Sequence, residues 1–285
     1  MLTILLGSDL HFGSAYDPEA GEAFQRAIEE STPDLVVIAG DLTQRAKVSE
    51  YREAQRFLDS LGDIPLVVTS GNHDVPLYRA FERLLVPFGN YRRYISPDLD
   101  TVTRVPGAVV VALHTAAPRR AIVNGRLRPR QLEFAARIFQ ESHVHEARIV
   151  VAHHPLVSAP DTEPAEPIPD AARILDAIRD MGAELVMGGH FHRGFVARSS
   201  AVCPAHEGAD EVVLAYSGTA TSTRGRASEA SKNSFHLLMI EEDTIKVEHK
   251  LLNRDSMTFE FLCETILPRR GRASGAVSSS SGRRR

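Results

Sequence analysis

Long hydrophobic runs are missing from this 285-residue chain, and so is any supply of cysteine. No apolar stretch approaches the roughly 20 residues that cross a bilayer, which excludes a helical membrane bundle. Two cysteines, Cys203 and Cys263, make no disulfide framework; they read as ordinary thiols and set the expected location as cytoplasmic. The opening Met1-Leu2-Thr3-Ile4-Leu5-Leu6 has no basic leader and stops at Gly7, so it is expected to be a first strand and not a signal peptide. No internal repeat is visible. Acid is absent from the last stretch, 268–285, which holds six arginines (269, 270, 272, 283, 284 and 285). This Ser/Gly/Arg-rich tail lacks the apolar residues of a core and is expected to be disordered.

Removing those six arginines from the 33 basic residues leaves 27 against 37 acids in residues 1–267, a balance of −10 hidden beneath the overall −4. Duplex affinity rests on neutralising phosphates, so a body this acidic argues against a nucleic-acid partner. The tail itself could touch nucleic acid or anionic lipid, or merely solubilise the chain. Hydrophobic and charged fractions of 43% and 25% are those of a globular protein. Residues 1–267 read as one domain.

Periodicity divides that domain. Helices are expected over 14–32, Val48–Leu61, Val75–Leu85, Gln131–His143 and Ala171–Met181. Short β-branched runs read as strands at Leu2–Leu6, Leu35–Ala39, Ile64–Val68, Val102–Val105, Ala108–Leu113, Ile149–Ala152 and Leu185–Met187. Five more follow at Phe195–Ala197, Val212–Tyr216, Phe235–Ile240, Thr244–Leu252 and Met257–Phe261. Gly89–Asp100 and the proline-rich Pro155–Pro169 read as irregular. Strands alternating with helices, then a run of strands, predict an α/β fold with a mixed sheet sandwich flanked by helices.

Polar residues sit where these strands end. Asp9 and His11 follow the first, Gly40-Asp41 the second, and Gly71-Asn72-His73-Asp74 the third. His153-His154 and Gly189-His190-Phe191-His192 close two later ones. Any one of these loops alone is an unremarkable turn, or a helix N-cap in the case of Asp41. Five strand ends carrying oxygen and nitrogen donors can instead converge on one dinuclear metal site, at the carboxyl edge where α/β sheets bind ligands. Asp41 can bridge two cations, as hydrolytic two-metal sites require. Asp9, His11 and one distal histidine would complete one ion; Asn72, His153 and the other distal histidine would complete the second. A donor set without cysteine favours Mn²⁺, Fe or Zn²⁺.

The order Asp-x-His, Gly-Asp, Gly-Asn-His-Asp, His-His-Pro, Gly-His-x-His resembles the calcineurin-like metallophosphoesterases. The resemblance spans residues 9–192. It implies a four-layer αββα sandwich and hydrolysis of a phosphoester by attack of metal-bound hydroxide. Position by position it implies Asp9, His11, Asp41 and His192 at the first metal, and Asp41, Asn72, His153 and His190 at the second. It further implies that His73 contacts the phosphate and protonates the leaving group, with Asp74 orienting it, while His154 supports the ligands from behind. Ser8-Asp9-Leu10-His11-Phe12, Gly40-Asp41-Leu42-Thr43 and Gly218-Thr219-Ala220-Thr221 are similar to the bacterial branch around cyclic-AMP phosphodiesterase. His114-Thr115 departs from it, standing where many relatives carry Asn or Asp.

The expected function is therefore a metal-dependent phosphodiesterase acting on a small phosphodiester, with cyclic nucleotides among the candidates. The alternatives are a pyrophosphatase of a nucleotide-linked lipid precursor, a nuclease and a non-catalytic scaffold. Assembly is left open, a homodimer being one option. The cluster Arg119, Arg120, Arg126, Arg128 and Arg130 reads either as a grip on a substrate phosphate or as a solvated charged loop.

Overall fold

A computed structural model describes residues 1–119, 123–160, 166–208 and 211–270. The strands are β1 (Leu2–Gly7), β2 (Leu35–Ile38), β3 (Leu66–Val68), β4 (Thr101–Val105), β5 (Ala108–Ala112) and β6 (Ala147–Val151). They continue with β7 (Leu185–Gly188), β8 (Phe195–Arg198), β9 (Val213–Tyr216), β10 (Ser234–Ile240), β11 (Thr244–Asn253) and β12 (Thr258–Pro268). The helices are α1 (Pro18–Ser31), α2 (Val48–Ser60), α3 (Ala80–Leu85), α4 (Gly89–Tyr94), α5 (Pro129–Gln140) and α6 (Ala171–Asp180).

The strands form two sheets, in the orders β12-β11-β10-β1-β2-β3 and β4-β5-β6-β7-β9-β8. Within each, the strands that feed the polar loops run parallel, β1-β2-β3 in one and β5-β6-β7-β9 in the other. Their carboxyl ends therefore lie along one edge of each sheet. Alternate residues on each strand face opposite ways. Ile4, Leu6, Leu35 and Val37 pack against Val110, Ala112, Ile149 and Val151 of the other sheet. Leu5, Val36 and Ile38 face outward onto Phe24 and Ile28 of α1 and Phe57 of α2. Val109, Val111 and Val150 do the same toward α5 and α6, against Phe139 and Leu175. The result is the expected four layers, helix, sheet, sheet, helix. Each fully buried Leu, Ile, Val or Phe contributes roughly 1.5–3 kcal/mol, so the doubly covered strands are the most firmly anchored part of the chain.

Some expected boundaries move. The helix expected over Val75–Leu85 is confined to α3, Ala80–Leu85. Pro76 disfavours the helical conformation at Val75, and the Asp74 carbonyl is taken by the Tyr51 hydroxyl at 2.5 Å. Gly89–Asp100 is not wholly irregular, since it holds the short α4. The strand expected over Ile64–Val68 shortens to Leu66–Val68, Pro65 having no N–H to give a ladder. The last strand is much longer than Met257–Phe261. It runs antiparallel to β11 as far as Pro268, past a register shift at His249/Lys250.

The tail does not begin at Pro268. Arg269 forks onto Glu184 with Nε and Nη2 at 2.8 and 2.7 Å, and its Nη1 donates to the Glu241 carbonyl at 2.7 Å. Residues 271–285, most of the expected tail, lie outside the described residues, as does Arg120. Among the described residues no helix is long and apolar enough to cross a membrane.

Candidate metal centre

The loop after β1 is stitched to the loop after β2. Asp9 N–H donates to the Gly40 carbonyl, His11 N–H to that of Asp41 and Phe12 N–H to that of Leu42, at 3.0, 3.0 and 2.8 Å. From the second sheet, Gly189 N–H donates to the His153 carbonyl, and His190 N–H reaches across to Asp9 Oδ2 at 2.9 Å. Asp9, His11, Asp41, His190 and His192 all adopt left-handed backbone, with φ of 56°, 51°, 52°, 76° and 55°. An L-residue loses roughly 1–2 kcal/mol in that region. Five such residues on three loops mark a place where packing and hydrogen bonding override local preference. Gly71 and Gly189 have a different reason to be glycine. A Cβ on Gly71 would sit 2.1 Å from Asp41 Oδ1, and one on Gly189 would sit 1.8 Å from Ser8 Oγ.

These loops gather two clusters. Asp9, His11, Asp41 and His192 form the first, with ligand atoms within 4.8 Å of one another. His192 Nε2 lies 3.2 Å from Asp9 Oδ1, while His11 Nε2 lies 3.6 Å from the same oxygen and 3.7 Å from Asp41 Oδ2. His153, His154 and His190 form the second. Asn72 joins it through Oδ1, 3.0 Å from His190 Nδ1. Asp41 lies between the two: its Oδ2 is 3.5 Å from His153 Nε2 as well as within reach of His11.

The outer nitrogens are already committed. His153 Nδ1 donates to the Ala39 carbonyl at 2.6 Å, and His192 Nδ1 to that of Arg224 at 3.0 Å. Both rings thereby turn Nε2 inward, as metal-ligating histidines do. Asp9 Oδ1, Asp41 Oδ2, His153 Nε2 and His154 Nε2 are buried with no hydrogen-bond partner. Buried polar atoms are nearly always paired, so four orphans in one place fit a cation held among them.

Charge makes the same demand. Burial resists ionisation of Asp9, yet the histidines around it, His192 and His11 foremost, hold its carboxyl far below the usual range. Asp41, also opposed by burial, is held well below it by His153 and His73. Burial pushes His190 down to about 4 with help from His153, and His192 down to about 3 against the pull of Asp9. His153 goes the other way. Burial disfavours its proton, but the Asp41 carboxylate outweighs that and raises it to about 9. Two buried carboxylates among mostly neutral imidazoles leave negative charge that cations would neutralise.

The eight residues expected at the catalytic edge beyond Asp74 are thus brought together, and Asp74 is the correction. Its carboxylate does not hold the His73 ring. It accepts from the backbone N–H groups of Leu42, Thr43 and Gly71 at 3.1, 2.9 and 2.9 Å, and from Thr43 Oγ1 at 3.0 Å. Asp74 therefore ties the Asp41 loop to the Asn72 loop. The His73 ring is held instead by the Gln44 carbonyl, which accepts from Nδ1 at 2.9 Å, while His73 N–H donates to Asp41 Oδ1 at 2.8 Å. Gln44 carried no signal in the sequence, because it acts through its backbone.

Two other residues were under-read. His154 sits inside the second cluster, with Nδ1 against Thr115 Oγ1 at 2.6 Å and its ring 4.6 Å from that of His190. Its place beside His153 was the available signal. His114 is not a donor to either cluster. Its Nδ1 donates to Asp100 Oδ1 at 2.8 Å and its Nε2 accepts from Arg128 at 3.1 Å.

The fold and the two clusters define a metal-dependent phosphoester hydrolase, and the profile of the calcineurin-like phosphoesterases matches residues 2–194. The chain belongs to that family. Among its relatives, a probable cyclic nucleotide phosphodiesterase of Synechococcus sp. is 28% identical over 207 residues, covering 68% of this chain and 75% of the relative. A cAMP/cGMP dual specificity phosphodiesterase of Mycobacterium tuberculosis is 24% identical over 252 residues, covering 82% and 73%. In fold, the chain is similar to the purple acid phosphatase PPD1 of yellow lupin at TM-score 0.71 and 12% identity. That likeness covers 95% of this chain but 54% of the lupin chain. PhoD gives 0.65 at 13% identity, covering 94% and 70%.

Proposed function

We propose that this protein is a dinuclear-metal phosphodiesterase that hydrolyses a small phosphodiester, with cyclic nucleotides the first substrates to test. The observation that carries this reading is Asp41, placed between two donor clusters with an oxygen that no protein group satisfies. Asp9, His11, Asp41 and His192 would hold one ion, and Asp41, Asn72, His153 and His190 the other, with His154 beside it. Oxygen and nitrogen donors without thiolate favour Mn²⁺, Fe or Zn²⁺. When bound, such ions polarise a phosphoryl oxygen and bring the pKa of water near neutrality.

The protein's own residues do the rest. Asp74 fixes the spacing of the Asp41 and Asn72 loops. The Gln44 carbonyl fixes the His73 ring by Nδ1, leaving Nε2 as the atom that donates a proton to the departing alkoxide. Arg224 is half-buried beside the first cluster, its carbonyl orienting His192 and its Nη1 3.4 Å from Gln44 Oε1. The names carried by the Synechococcus and Mycobacterium relatives support a cyclic nucleotide. Cys203 and Cys263 as free thiols suit the cytoplasm. The test is turnover of cyclic AMP and of a bis-aryl phosphodiester by the Mn²⁺-loaded chain, against Asp41→Ala. A fully loaded chain that cleaves neither would overturn the reading.

One observation favours the lipid-precursor pyrophosphatase as a second reading. Tyr78, Phe81, Leu84, Leu85 and Val86 are exposed on and around α3, a few residues beyond His73. Contiguous exposed apolar side chains of this kind mark contact with an apolar ligand or partner. Cleavage of a nucleotide-linked lipid pyrophosphate in preference to cyclic AMP would decide for it.

A further inference from the structure

Three of the arginines between residues 119 and 130 line one cavity. Arg119, Arg126 and Arg128 line a space of about 380 Å³ together with Phe88, Pro87, Pro118 and Ala117. No acid lines it. Asp100 is the nearest carboxylate that acts on Arg128, and it is already engaged by His114 Nδ1 and by Gln131 Nε2 at 2.8 Å each. Burial weakens the hold of Arg128 on its proton, and the neighbouring Arg130 and Arg126 charges weaken it further. Like charges concentrated beside an apolar wall repel one another unless an anion joins them.

Two of the three guanidinium groups are held in place. Arg119 donates through Nε and Nη2 to the Leu84 carbonyl at 3.1 and 2.8 Å. Arg128 donates through Nη1 to His114 Nε2, whose ring packs edge-on against Phe88 at 5.5 Å. The Arg126 side chain is exposed and makes no hydrogen bond among the described residues. Its backbone is fixed, with N–H donating to the Thr115 carbonyl at 2.7 Å.

The cavity is also next to the metal centre. Gly125, which precedes Arg126 and has φ of 66°, lies directly on the His154 ring: a Cβ there would be 2.4 Å from His154 Cγ. Thr115, whose carbonyl holds Arg126, is the residue whose hydroxyl meets His154 Nδ1. The backbone that carries Arg126 is therefore packed against His154 on one side and hydrogen-bonded to Thr115 on the other.

We infer that this cavity is a second anion subsite, receiving a phosphate group that the substrate carries in addition to the phosphodiester being cleaved. The inference rests on the phosphodiesterase reading and narrows its substrate class. Arg126 supplies an open fork, Arg119 and Arg128 supply fixed charge, and Phe88 offers an apolar face to the group that links the two phosphates. A cyclic mononucleotide leaves this subsite empty.

The test compares two aryl esters of thymidylate that share the same scissile bond, one with a second phosphate on the sugar and one without, using the metal-loaded full chain. The wild type should prefer the doubly phosphorylated ester by at least about tenfold in kcat/KM, the worth of one good charge-assisted hydrogen bond. Arg126→Glu should bring the ratio to one or below, and Arg126→Lys should keep part of it. Calorimetry with thymidine bisphosphate and monophosphate forms a second arm that needs no turnover. It should show the same tenfold preference, lost in Arg126→Glu. If neither ester is cleaved, the phosphodiesterase reading fails while the binding ratio still judges the subsite. Equal handling of the paired ligands would overturn the inference, as would a preference that survives Arg126→Glu. Inhibition by inorganic phosphate that depends on Arg126 without any substrate preference would assign the cavity to free anions and overturn it as well.

Discussion

Replacing Asp74 by alanine separates two accounts of the centre. The motif suggests that Asp74 orients His73. In the structure its carboxylate is buried and satisfies three backbone N–H groups and the Thr43 hydroxyl. Asp74→Ala leaves those three N–H groups buried without an acceptor. Each costs about 1–3 kcal/mol. Allowing one to be satisfied by water entering the space, the two that remain cost roughly 2–6 kcal/mol. At about 2–4 °C per kcal/mol for a chain of this size, the melting temperature should fall by roughly 10 °C. Because the same carboxylate sets the spacing of Asp41 and Asn72, metal affinity should drop about 10–100-fold, as when a ligand's support is lost. Asp74→Asn keeps one acceptor oxygen but turns an NH₂ toward an N–H, so it should fall between. The assays are thermal melting with and without Mn²⁺ and metal competition against a chelator. If Asp74→Ala melts and binds metal as the wild type does while turnover alone drops, the loop-tying role is refuted and Asp74 acts on His73 after all.

Asp41→Ala should empty both metal positions together, since both clusters meet at that carboxylate; elemental analysis that still finds two ions per chain would contradict the bridge. His73→Ala should leave metal content nearly unchanged. It should slow cleavage of an alkoxide-leaving phosphodiester by about 10²–10⁴-fold, and an aryl ester much less; equal losses would remove the proton-donor role. A chain ending at Arg270 should melt like the full chain, because the Gly/Ser/Arg-rich stretch 271–285 carries too few apolar side chains to add to a core. Ending at Leu267 should cost about 3–5 kcal/mol by leaving Glu184 buried and unpaired, and Arg269→Ala in the full chain should reproduce most of that loss. A chain ending at Leu267 with an unchanged melting curve would show that the Arg269–Glu184 fork contributes nothing.

Features set by neighbouring residues are legible in the chain before it folds. Short β-branched runs alternate with helical periodicity, and five of these runs end in oxygen- and nitrogen-bearing side chains. From this, the layered α/β class could be read, as could the polar positions that the fold gathers at one edge: Asp9, His11, Asp41, Asn72, His73, His153, His190 and His192. Strand type and ligand chemistry are properties of neighbouring residues, so a linear text carries them. Asp74 is harder to read, because its sequence neighbour His73 is not the group its carboxylate holds. The donors it serves come from Leu42 and Thr43, some thirty residues away and brought near by the parallel β2–β3 pairing. The role of the Gln44 carbonyl is invisible in sequence for a similar reason, since every residue has a carbonyl. The reach of β12 was hidden because an edge strand buries little and so shows weak alternation. Arg269 looked like one more basic residue of a tail until the fold set it against Glu184, 85 positions earlier. The arginine cluster was plain in the sequence, but whether it lay free in solvent or lined a cavity beside His154 depended on where Gly125 turns. Tertiary structure alone decided that, because a charge acquires its partners only from the surfaces the fold brings to it.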